Sequence, residues 1–479
     1  MRTLTVISRL LLVCGFLLGA GRLAGQPQRP FPPRSSMVTP GPNEQTFLML
    51  SDVHFDPLTG TSPQDVEALI SAPPEKWQSI FESHAASDVS SGDADTNYAL
   101  LVSALHAAAG RGVPFDYVIV TGDYLAHNFL TKYRAFRPDG QGYPEFAIKT
   151  AVFVSRMIEQ SFPGIPIYGA LGNNDSSSAD YALPDKPFLT ALAKEWKVVS
   201  ANPYAAQDFL SGGYYEVAHP TVAGQEFIVL NTSLWSRLYT GGDFPGASDA
   251  GTAEMKWLAS KLDDVSNRRQ TAALIMHIPP GIDAYTALQA GNVCDLPTLF
   301  WKKPYLDSFL ALLAAHKSSL RDSYAGHTHI NDFRVFTDAS GMPYFQMHIA
   351  PSISPNGGNS PAFEIGVYDK TTGALVDYSA IYSRNRSGRK PADVLWEPAF
   401  DFRAESGFPD YNPSSLETIA LLIRSSDIVR ARLFDLFSSR TSATLPIPSK
   451  DWLAYSCAQT QIAPKAFSSC ACAGGSAPR

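Results

Sequence analysis

Residues with metal-binding side chains stand directly after several short apolar runs of this sequence. Two of these segments carry a pair with one residue between its members, Asp52 with His54 and His327 with His329. In such a pair at a strand end, alternate side chains can leave on the same side, so one short segment supplies two ligands. The complete set is Asp52, His54, Asp123, His127, Asn173, His277, His327 and His329.

These side chains offer oxygen atoms and imidazole nitrogens and no thiolate, which favours zinc, iron or manganese over a structural zinc site. Each residue alone is weak evidence, because a lone aspartate after a strand more often caps a turn and a lone buried histidine more often belongs to a core. Five such segments in order along the chain are poorly explained by structural roles alone. The combination predicts two metal ions that share one carboxylate.

The apolar runs predict the strands that would hold these residues. Helical patterns lie between several of them, over residues 97–111, 146–160, 253–267 and 305–316. Strands that alternate with helices indicate an α/β domain, in which ligands bind at the carboxyl ends of the strands. A later hairpin is predicted with its turn at residues 369–373. The strand runs read TFLMLSD, FDYVIVTGD, IPIYGALGNND, QEFIVLNTS, TAALIMHIPPG and YFQMHIAPS.

The first 25 residues have the features of a signal peptide. Two arginines precede an apolar run at residues 10–18, and small residues follow it. The run is short for a membrane span, so cleavage is expected between residues 21 and 26, with an uncleaved anchor as the alternative. Residues 26–45 form a proline-rich lead-in. The sequence therefore predicts a secreted or periplasmic protein with no stable membrane insertion after signal removal.

The composition is that of a folded soluble chain, with 479 residues, 45% of them hydrophobic and 17% charged. A net charge of −7 argues against binding to a nucleic-acid polymer, which needs a clustered basic surface. The catalytic-type domain is predicted over residues 46–383, and a helical C-terminal subdomain with a cysteine-bearing tail over residues 384–479. Two amphipathic helices in that subdomain are expected to open at Ser414 or Ser415.

Four cysteines follow Cys14 along the chain, and an even number in an exported protein predicts disulfides. Cys470 and Cys472 are too close in sequence to pair comfortably with each other. A bridge from Cys457 to one of these two is therefore expected. Cys294 either joins the tail or remains a buried thiol.

Taken together, the motifs D-x-H, G-D-x-x-x-H, G-N-x-D, H-x-P-P-G and G-H-x-H resemble those of the binuclear, calcineurin-like metallophosphoesterases. More narrowly, the chain resembles the acid sphingomyelinase-like phosphodiesterases over residues 47–470. That resemblance implies a two-sheet β-sandwich flanked by helices, with a helical C-terminal part. The similar blocks read SDVHFDP, GDYLAH, HIPPG, GHTHINDF, APSISPNGGNSPAFEI and ESGFPDYNPSSL.

The resemblance also implies a ligand set of two divalent ions, usually zinc, with Asp123 as the bridge. A hydroxide between the ions would attack phosphorus in line, and His127 matches a histidine that reaches the substrate phosphate. The first ion would be held by Asp52, His54, Asp123 and His329, and the second by Asp123, Asn173, His277 and His327.

The chain departs from this pattern at Asn174, where a histidine is expected that the following acidic residue, here Asp175, would hold. An amide can donate a hydrogen bond to a phosphoryl oxygen but cannot deliver a proton near neutral pH. His127 is then the candidate for any remaining proton donor. The lead-in is also too short for the saposin domain that helps sphingomyelinase take lipid from membranes, so intrinsic sphingomyelin extraction is not expected.

These observations predict an exported phosphodiesterase that acts on a small phosphoester, such as a nucleotide or head-group phosphodiester or a phosphoanhydride. A phosphomonoesterase of the same fold is the alternative among enzymes. The alternative to an active enzyme is a metal-binding relative with weak or no catalysis. The complete ligand set favours an enzyme, because a decaying site would be expected to lose ligands as well. The oligomeric state is not predicted.

Overall fold

The structure is a computed structural model, and it describes residues 37–83, 87–92, 94–241, 249–383, 388–437, 447 and 450–472. The predicted signal peptide and residues 26–36 of the lead-in lie outside this part of the chain. Two six-stranded sheets and flanking helices make up the described fold. The predicted two-sheet architecture is confirmed.

The strands include all six of the predicted runs, which become β1, β2, β3, β5, β6 and β9. The predicted hairpin is also confirmed, as β10 and β11. In chain order the strands are β1 Glu44–Leu50, β2 Val118–Val120, β3 Ile167–Gly169, β4 Tyr215–Ala218, β5 Gln225–Val229, β6 Thr271–Ile275, β7 Leu320–Ala325, β8 Asp332–Thr337, β9 Pro343–Ile349, β10 Ala362–Asp369, β11 Leu375–Ser383 and β12 Trp396–Asp401.

The four helices predicted before residue 320 are present as α3, α5, α9 and α11. In chain order the helices are α1 Pro63–Ser71, α2 Trp77–Glu82, α3 Tyr98–Ala109, α4 Phe129–Arg134, α5 Tyr143–Ser161, α6 Lys186–Glu195, α7 Lys197–Ser200, α8 Pro203–Gly212, α9 Ala250–Asn267, α10 Ala284–Ala290, α11 Lys303–Ala315, α12 Phe402–Ser406, α13 Pro413–Ser425, α14 Asp427–Phe437, α15 Trp452–Thr460 and α16 Pro464–Ala471.

Each sheet contains a set of neighbouring parallel strands, whose carboxyl ends point toward one edge of the sandwich. The first sheet has the order β12-β11-β10-β1-β2-β3, with β1, β2 and β3 parallel. The second has the order β4-β5-β6-β7-β9-β8, with β5, β6, β7 and β9 parallel. Because side chains that follow parallel strands meet at the same sheet edge, this topology can gather residues that are far apart in sequence.

Aromatic side chains join the two sheets face to face. Phe47 of the first sheet lies 4.8 Å from Tyr117 beside it and 5.6 Å from Tyr324 of the second sheet, measured between ring centroids. Tyr117 in turn lies 5.3 Å from Phe227 of the second sheet. All four rings are essentially inaccessible to solvent. Ring pairs at these separations stabilise the sandwich beyond simple burial.

Helix α13 begins one or two residues earlier than the sequence predicts. Its N-cap is Asn412, whose side chain accepts a hydrogen bond of 2.9 Å from the backbone of Ser415. Pro413 takes the first helical position, where its missing N–H costs nothing. The expected start at Ser414 or Ser415 is therefore wrong, because the proline moves the cap to the residue before it.

The C-terminal part is attached to the sandwich by a strand, by helix packing and by disulfides. Strand β12 pairs with β11, so the predicted boundary after residue 383 falls between two neighbouring strands of one sheet. Helices α13 and α15 pack on β8 and β9. The predicted Cys457–Cys470 disulfide is confirmed, and Cys294 pairs with Cys472.

Candidate metal centre and active site

The seven residues predicted as metal ligands all lie in loops that follow parallel strands. Asp52 and His54 follow β1, and Asp123 and Asn173 follow β2 and β3 of the same sheet. His277, His327 and His329 follow β6 and β7 of the other sheet. The candidate site is therefore formed by both sheets together.

The first predicted ion position lies among four side chains whose donor atoms face one another. His54 Nε2 is 3.0 Å from His329 Nε2 and 3.4 Å from Asp123 Oδ2. His329 Nε2 is 3.4 Å from Asp52 Oδ1. Asp52, His54 and Asp123 are buried, so these atoms meet in a nearly dry pocket.

The second predicted position lies on the other side of the Asp123 carboxylate. His277 Nε2 is 3.1 Å from Asp123 Oδ2 and 3.0 Å from Asn173 Oδ1. His327 places a ring nitrogen in the same group, within 4.8 Å of the Asp123 and His277 donor atoms. Asp123 Oδ2 thus faces both positions, which is what a bridging carboxylate requires.

Backbone carbonyl groups orient two of the imidazole rings. His54 Nδ1 lies 3.0 Å from the Leu125 carbonyl oxygen, and His277 Nδ1 lies 2.8 Å from that of Thr121. A proton on Nδ1 donates to the carbonyl oxygen and leaves the Nε2 lone pair directed at the carboxylates. Metal-binding histidines are held in this way in proteins generally.

The buried carboxylates of the pocket favour the binding of cations. Burial opposes charge on His54 and His277, but the Asp123 carboxylate and the neighbouring Asp52 raise the pKa of each ring to about 9. Burial likewise opposes ionisation of Asp123, yet the two rings lower its pKa to about 2. Without metal, protons on the rings balance the buried carboxylates. Divalent ions fit the same donor set, and their binding would release those protons.

Five of the seven residues have a left-handed backbone, which is uncommon for residues other than glycine. The sequence predicts that an extended strand end places residues two apart on the same side. The structure instead uses a sharp turn in the backbone at each of these residues. Strain of about 1–3 kcal/mol per residue is typical of functional sites. The φ angles are 47° at Asp52, 44° at His54, 56° at Asp123, 70° at His327 and 61° at His329.

Two glycines make room for these turns. A Cβ atom at Gly172 would collide with the Asp123 carboxylate, and one at Gly326 would collide with Ser51 and Asp52. The close approach of backbone to carboxylate is therefore possible only with glycine at these positions.

Asp175 holds the loop that carries Asp123. Its carboxylate accepts four backbone hydrogen bonds, from Asp123 at 2.9 Å, Tyr124 at 2.8 Å, Leu125 at 3.1 Å and Gly172 at 2.7 Å. Burial and the charge of Asp123 raise the pKa of Asp175 to about 7. Four N–H donors nevertheless leave no acceptor for a carboxyl proton, so the ionised form is the one that fits these contacts.

Asn174 lies against Asn173 inside the loop. Its Oδ1 accepts a hydrogen bond of 2.6 Å from Asn173 Nδ2, and its backbone N–H donates to Asp123 Oδ1 at 2.8 Å. Both asparagine side chains are buried, with exposures of 5% at Asn173 and 2% at Asn174. The side-chain oxygen of Asn174 is therefore already engaged in holding a predicted ligand.

His127 stacks on His54 with 3.7 Å between ring centroids, which places it beside the predicted ions. Its Nδ1 lies 2.8 Å from Asp95 Oδ1, and the other oxygen of Asp95 accepts a hydrogen bond of 2.5 Å from Lys132 Nζ. Burial and the neighbouring His54 ring lower the pKa of His127 to about 4. An anionic group such as a bound phosphate would have to stabilise the proton before His127 could donate it.

Two carboxylates at the site were not singled out from the sequence. Asp95 orients His127, and Asp180 accepts a hydrogen bond of 3.0 Å from the Asn128 backbone and interacts with the Asn174 side chain. Both stand in polar loops with no strand directly before them. Neither position therefore carries the signal that marked the predicted ligands, which follow apolar runs.

A cavity of about 450 Å³ opens beside the predicted ions. His127, His327 and His329 line it, together with two arginines and several aromatic rings. Arg237 is paired with Asp283 at 3.2 Å on that wall. The volume suits a small organic phosphoester. The arginines and aromatic residues in the lining are Arg237, Arg334, Tyr181, Tyr285, Phe300 and Tyr455.

The calcineurin-like phosphoesterase family model matches residues 45–331, and the chain belongs to this family. It is a phosphoric ester hydrolase of the metallophosphoesterase type, and the predicted family resemblance is confirmed. The matched residues contain all seven predicted ligands, together with His127, Asn174 and Asp175.

Within that family the chain is similar to acid sphingomyelinase-like phosphodiesterases. Acid sphingomyelinase-like phosphodiesterase 3b of Homo sapiens is 23% identical over 444 residues, covering 90% of this chain and 91% of the relative. The cyclic GMP-AMP phosphodiesterase SMPDL3A of Homo sapiens is 22% identical over 398 residues, covering 80% of each chain. A dimetal phosphatase from Danio rerio is a structural neighbour with a TM-score of 0.41 and 14% identity, covering 74% of this chain and 99% of that one.

Among the described residues, no helix is long and apolar enough to cross a membrane.

Proposed function

We propose that the protein is an exported, binuclear metal-dependent phosphodiesterase that cleaves phosphodiester or phosphoanhydride bonds of nucleotide-type or head-group substrates. The observation that carries this proposal is the grouping of the seven predicted ligands around the Asp123 carboxylate, whose Oδ2 lies 3.4 Å from His54 Nε2 and 3.1 Å from His277 Nε2. Family membership supports the same chemistry.

In this proposal the two groups of residues each hold one ion. The first comprises Asp52, His54, Asp123 and His329, and the second Asp123, Asn173, His277 and His327. When bound, two divalent ions, with zinc the proposed native metal and iron or manganese as alternatives, supply water activation and neutralise charge on the phosphoryl oxygens.

The chain's own residues orient the substrate phosphate. His127, held by Asp95, stands where its Nε2 can contact a phosphoryl oxygen beside the ions. Arg237 lies on the wall of the 450 Å³ cavity that adjoins the ions. The cavity's aromatic rings can pack against the base or head group of a small substrate. One relative is named an acid sphingomyelinase-like phosphodiesterase and another a cyclic GMP-AMP phosphodiesterase, which supports phosphodiester substrates.

The amide at position 174 restricts the leaving group. General acid catalysis typically contributes about 10²–10⁴-fold, and an amide cannot supply it. Esters or anhydrides whose leaving oxygen is already stable as an anion depend least on that proton. Nucleotide anhydrides and aryl phosphodiesters are therefore the proposed preferred substrates.

Kinetics over phosphodiesters with leaving groups of graded pKa test this function in the metal-loaded protein. We expect the rate to fall steeply as the leaving-group pKa rises, and Asn174→His to flatten that dependence. His127→Ala, measured in parallel, reports whether His127 supplies a remaining proton. A rate that does not change with leaving-group pKa, while chemistry limits turnover, would mean that a competent acid is present.

The same assay separates the alternatives. Faster cleavage of phosphomonoesters than of diesters would favour a phosphomonoesterase. No turnover of any ester with both ions bound would favour a metal-binding protein without catalysis.

Export is supported by two kinds of observation. The first 25 residues have the sequence features of a signal peptide. The Cys457–Cys470 and Cys294–Cys472 disulfides are typical of oxidising compartments. Cell fractionation of the native host, with N-terminal sequencing of the mature protein, tests the proposal. A protein found in the cytoplasm with residues 1–25 intact would contradict it.

A further inference from the structure

We propose that Asn174 and Asp180 form a hydrogen-bonded relay that holds the side-chain oxygen of Asn173 on the second ion position. In this arrangement Asn174 is a positioning residue of the metal site instead of a substitute acid. The inference rests on the proposed metal site, and it assigns a role to the residue that stands where a histidine is expected.

An asparagine ligand has an orientation problem, because its oxygen and nitrogen ends have the same shape. Only the oxygen has lone pairs that can bind a metal ion, since the amide nitrogen is a donor. Asn173 Oδ1 lies 3.0 Å from His277 Nε2, so the oxygen end already faces the ion position. Some contact must make this orientation more stable than the flipped one.

Asn174 makes that contact. Its Oδ1 accepts a hydrogen bond of 2.6 Å from Asn173 Nδ2. If the Asn173 amide flipped, two oxygen atoms would face each other at that distance in a buried environment. An unmade hydrogen bond in such a place is destabilising. The orientation of Asn173 therefore depends on Asn174 presenting its oxygen.

Asp180 determines which end Asn174 presents. The Asn174 side chain interacts with the Asp180 carboxylate, which accepts the Asn128 backbone N–H at 3.0 Å. An ionised carboxylate only accepts hydrogen bonds. If Asn174 flipped, its oxygen would face this carboxylate and its nitrogen would face Asn173 Nδ2. The charge of Asp180 thus fixes the direction of both amides.

Two backbone hydrogen bonds fix the positions of Asn173 and Asn174. The Asn174 N–H donates to Asp123 Oδ1 at 2.8 Å, and the Tyr181 N–H donates to the Asn173 carbonyl oxygen at 2.6 Å. The latter bond closes the loop directly after Asp180, and the former ties Asn174 to the bridging carboxylate.

The test is the affinity of the purified protein for Zn²⁺, measured by competition with a chelator. Loss of a residue that orients a ligand typically weakens metal binding 10–100-fold. We expect Asn174→Ala to lower the affinity for one of the two ions by about 10–100-fold. The affinity for the other ion should stay within about threefold of the wild-type value. Asp180→Ala should act on the same ion. Asp180→Asn keeps an oxygen that can accept from Asn174 and should retain most of the affinity.

Ser178→Ala, on the same loop, is the matched control and should bind both ions as the wild type does. Wild-type affinity for both ions in Asn174→Ala, or equal losses in Asp180→Ala and Asp180→Asn, would overturn the relay. If Asn174→Ala does not fold, the two Asp180 variants carry the test, because Asp180 is partly exposed.

Failure of the relay is distinguishable from failure of the proposed function. A wild-type protein that binds fewer than two ions contradicts the proposed function before any variant is measured. Two ions in the wild type, with unchanged affinity in the variants, contradicts the relay alone.

Discussion

Replacing Asp175 by asparagine should lower the unfolding free energy of the protein, because this carboxylate accepts hydrogen bonds from the backbone around the bridging Asp123. Each of its two oxygens accepts two backbone N–H groups, at distances from 2.7 to 3.1 Å. An asparagine keeps one accepting oxygen, and its NH₂ group then faces two N–H donors. Two buried donors lose their partners in Asp175→Asn.

The magnitude follows from the number of lost bonds. A buried N–H left without an acceptor costs about 1–3 kcal/mol, so the variant should lose about 2–6 kcal/mol of unfolding free energy. Native proteins are stable by only about 5–15 kcal/mol. The left-handed backbone at Asp123, with φ 56°, also loses its support, so metal affinity should fall with stability.

The assay is urea denaturation of both proteins, once with a chelator and once with saturating Zn²⁺. Asp180→Asn is the matched control, because Asp180 is partly exposed and accepts one backbone hydrogen bond, from Asn128 of another loop. It should lose no more than about 1 kcal/mol. An unfolding free energy of Asp175→Asn within 1 kcal/mol of the wild type would refute the role assigned to Asp175.

Three further predictions concern the metals, the tail and the pH dependence of stability. Asp123→Ala should lose both ions, which elemental analysis measures; retention of either ion would contradict the bridge. Replacing Cys457 and Cys470 by alanine should lower the unfolding free energy by about 3 kcal/mol, because the bridge closes a short loop in the unfolded chain. Denaturation curves that coincide with the wild type would contradict this. Burial raises the pKa of Glu254 to about 8, so the folded protein keeps a proton that the unfolded chain releases, and stability falls as pH rises from about 4.5 to 8. Glu254→Gln retains an acceptor for the Asn231 N–H. In urea denaturation its unfolding free energy should match that of the wild type near pH 4 and exceed it by roughly 1–3 kcal/mol at pH 8. Equal pH profiles of the two proteins would refute this prediction.

Much of the fold was predictable because its central strands carry local signals. Runs such as those of β1, β2 and β6 are apolar throughout, as buried parallel strands are, and end in polar, glycine-containing turns. Strands β4, β7, β8 and β12 were not predicted. Strands β4, β8 and β12 lie at sheet edges, where one side of the strand has no partner and the hydrophobic pattern is weaker. Strand β7 lies inside its sheet, but Arg321 and Asp322 interrupt its apolar run. Asn412 was missed as a helix cap because two serines follow the proline.

The amino-acid sequence by itself determined which residues gather at the site, since the ligand types, their spacing and their place after strands are local properties. The tertiary structure decided how they meet. The strained backbone at Asp52, the four bonds to Asp175 and the contact of Asp95 with His127 depend on loops that approach one another only after the strands have paired. Asp175 lies 52 residues from Asp123, and Asp95 lies 32 residues from His127. Hydrogen bonds over such separations leave no periodic trace in the sequence, because their geometry is set by packing and not by neighbouring residues.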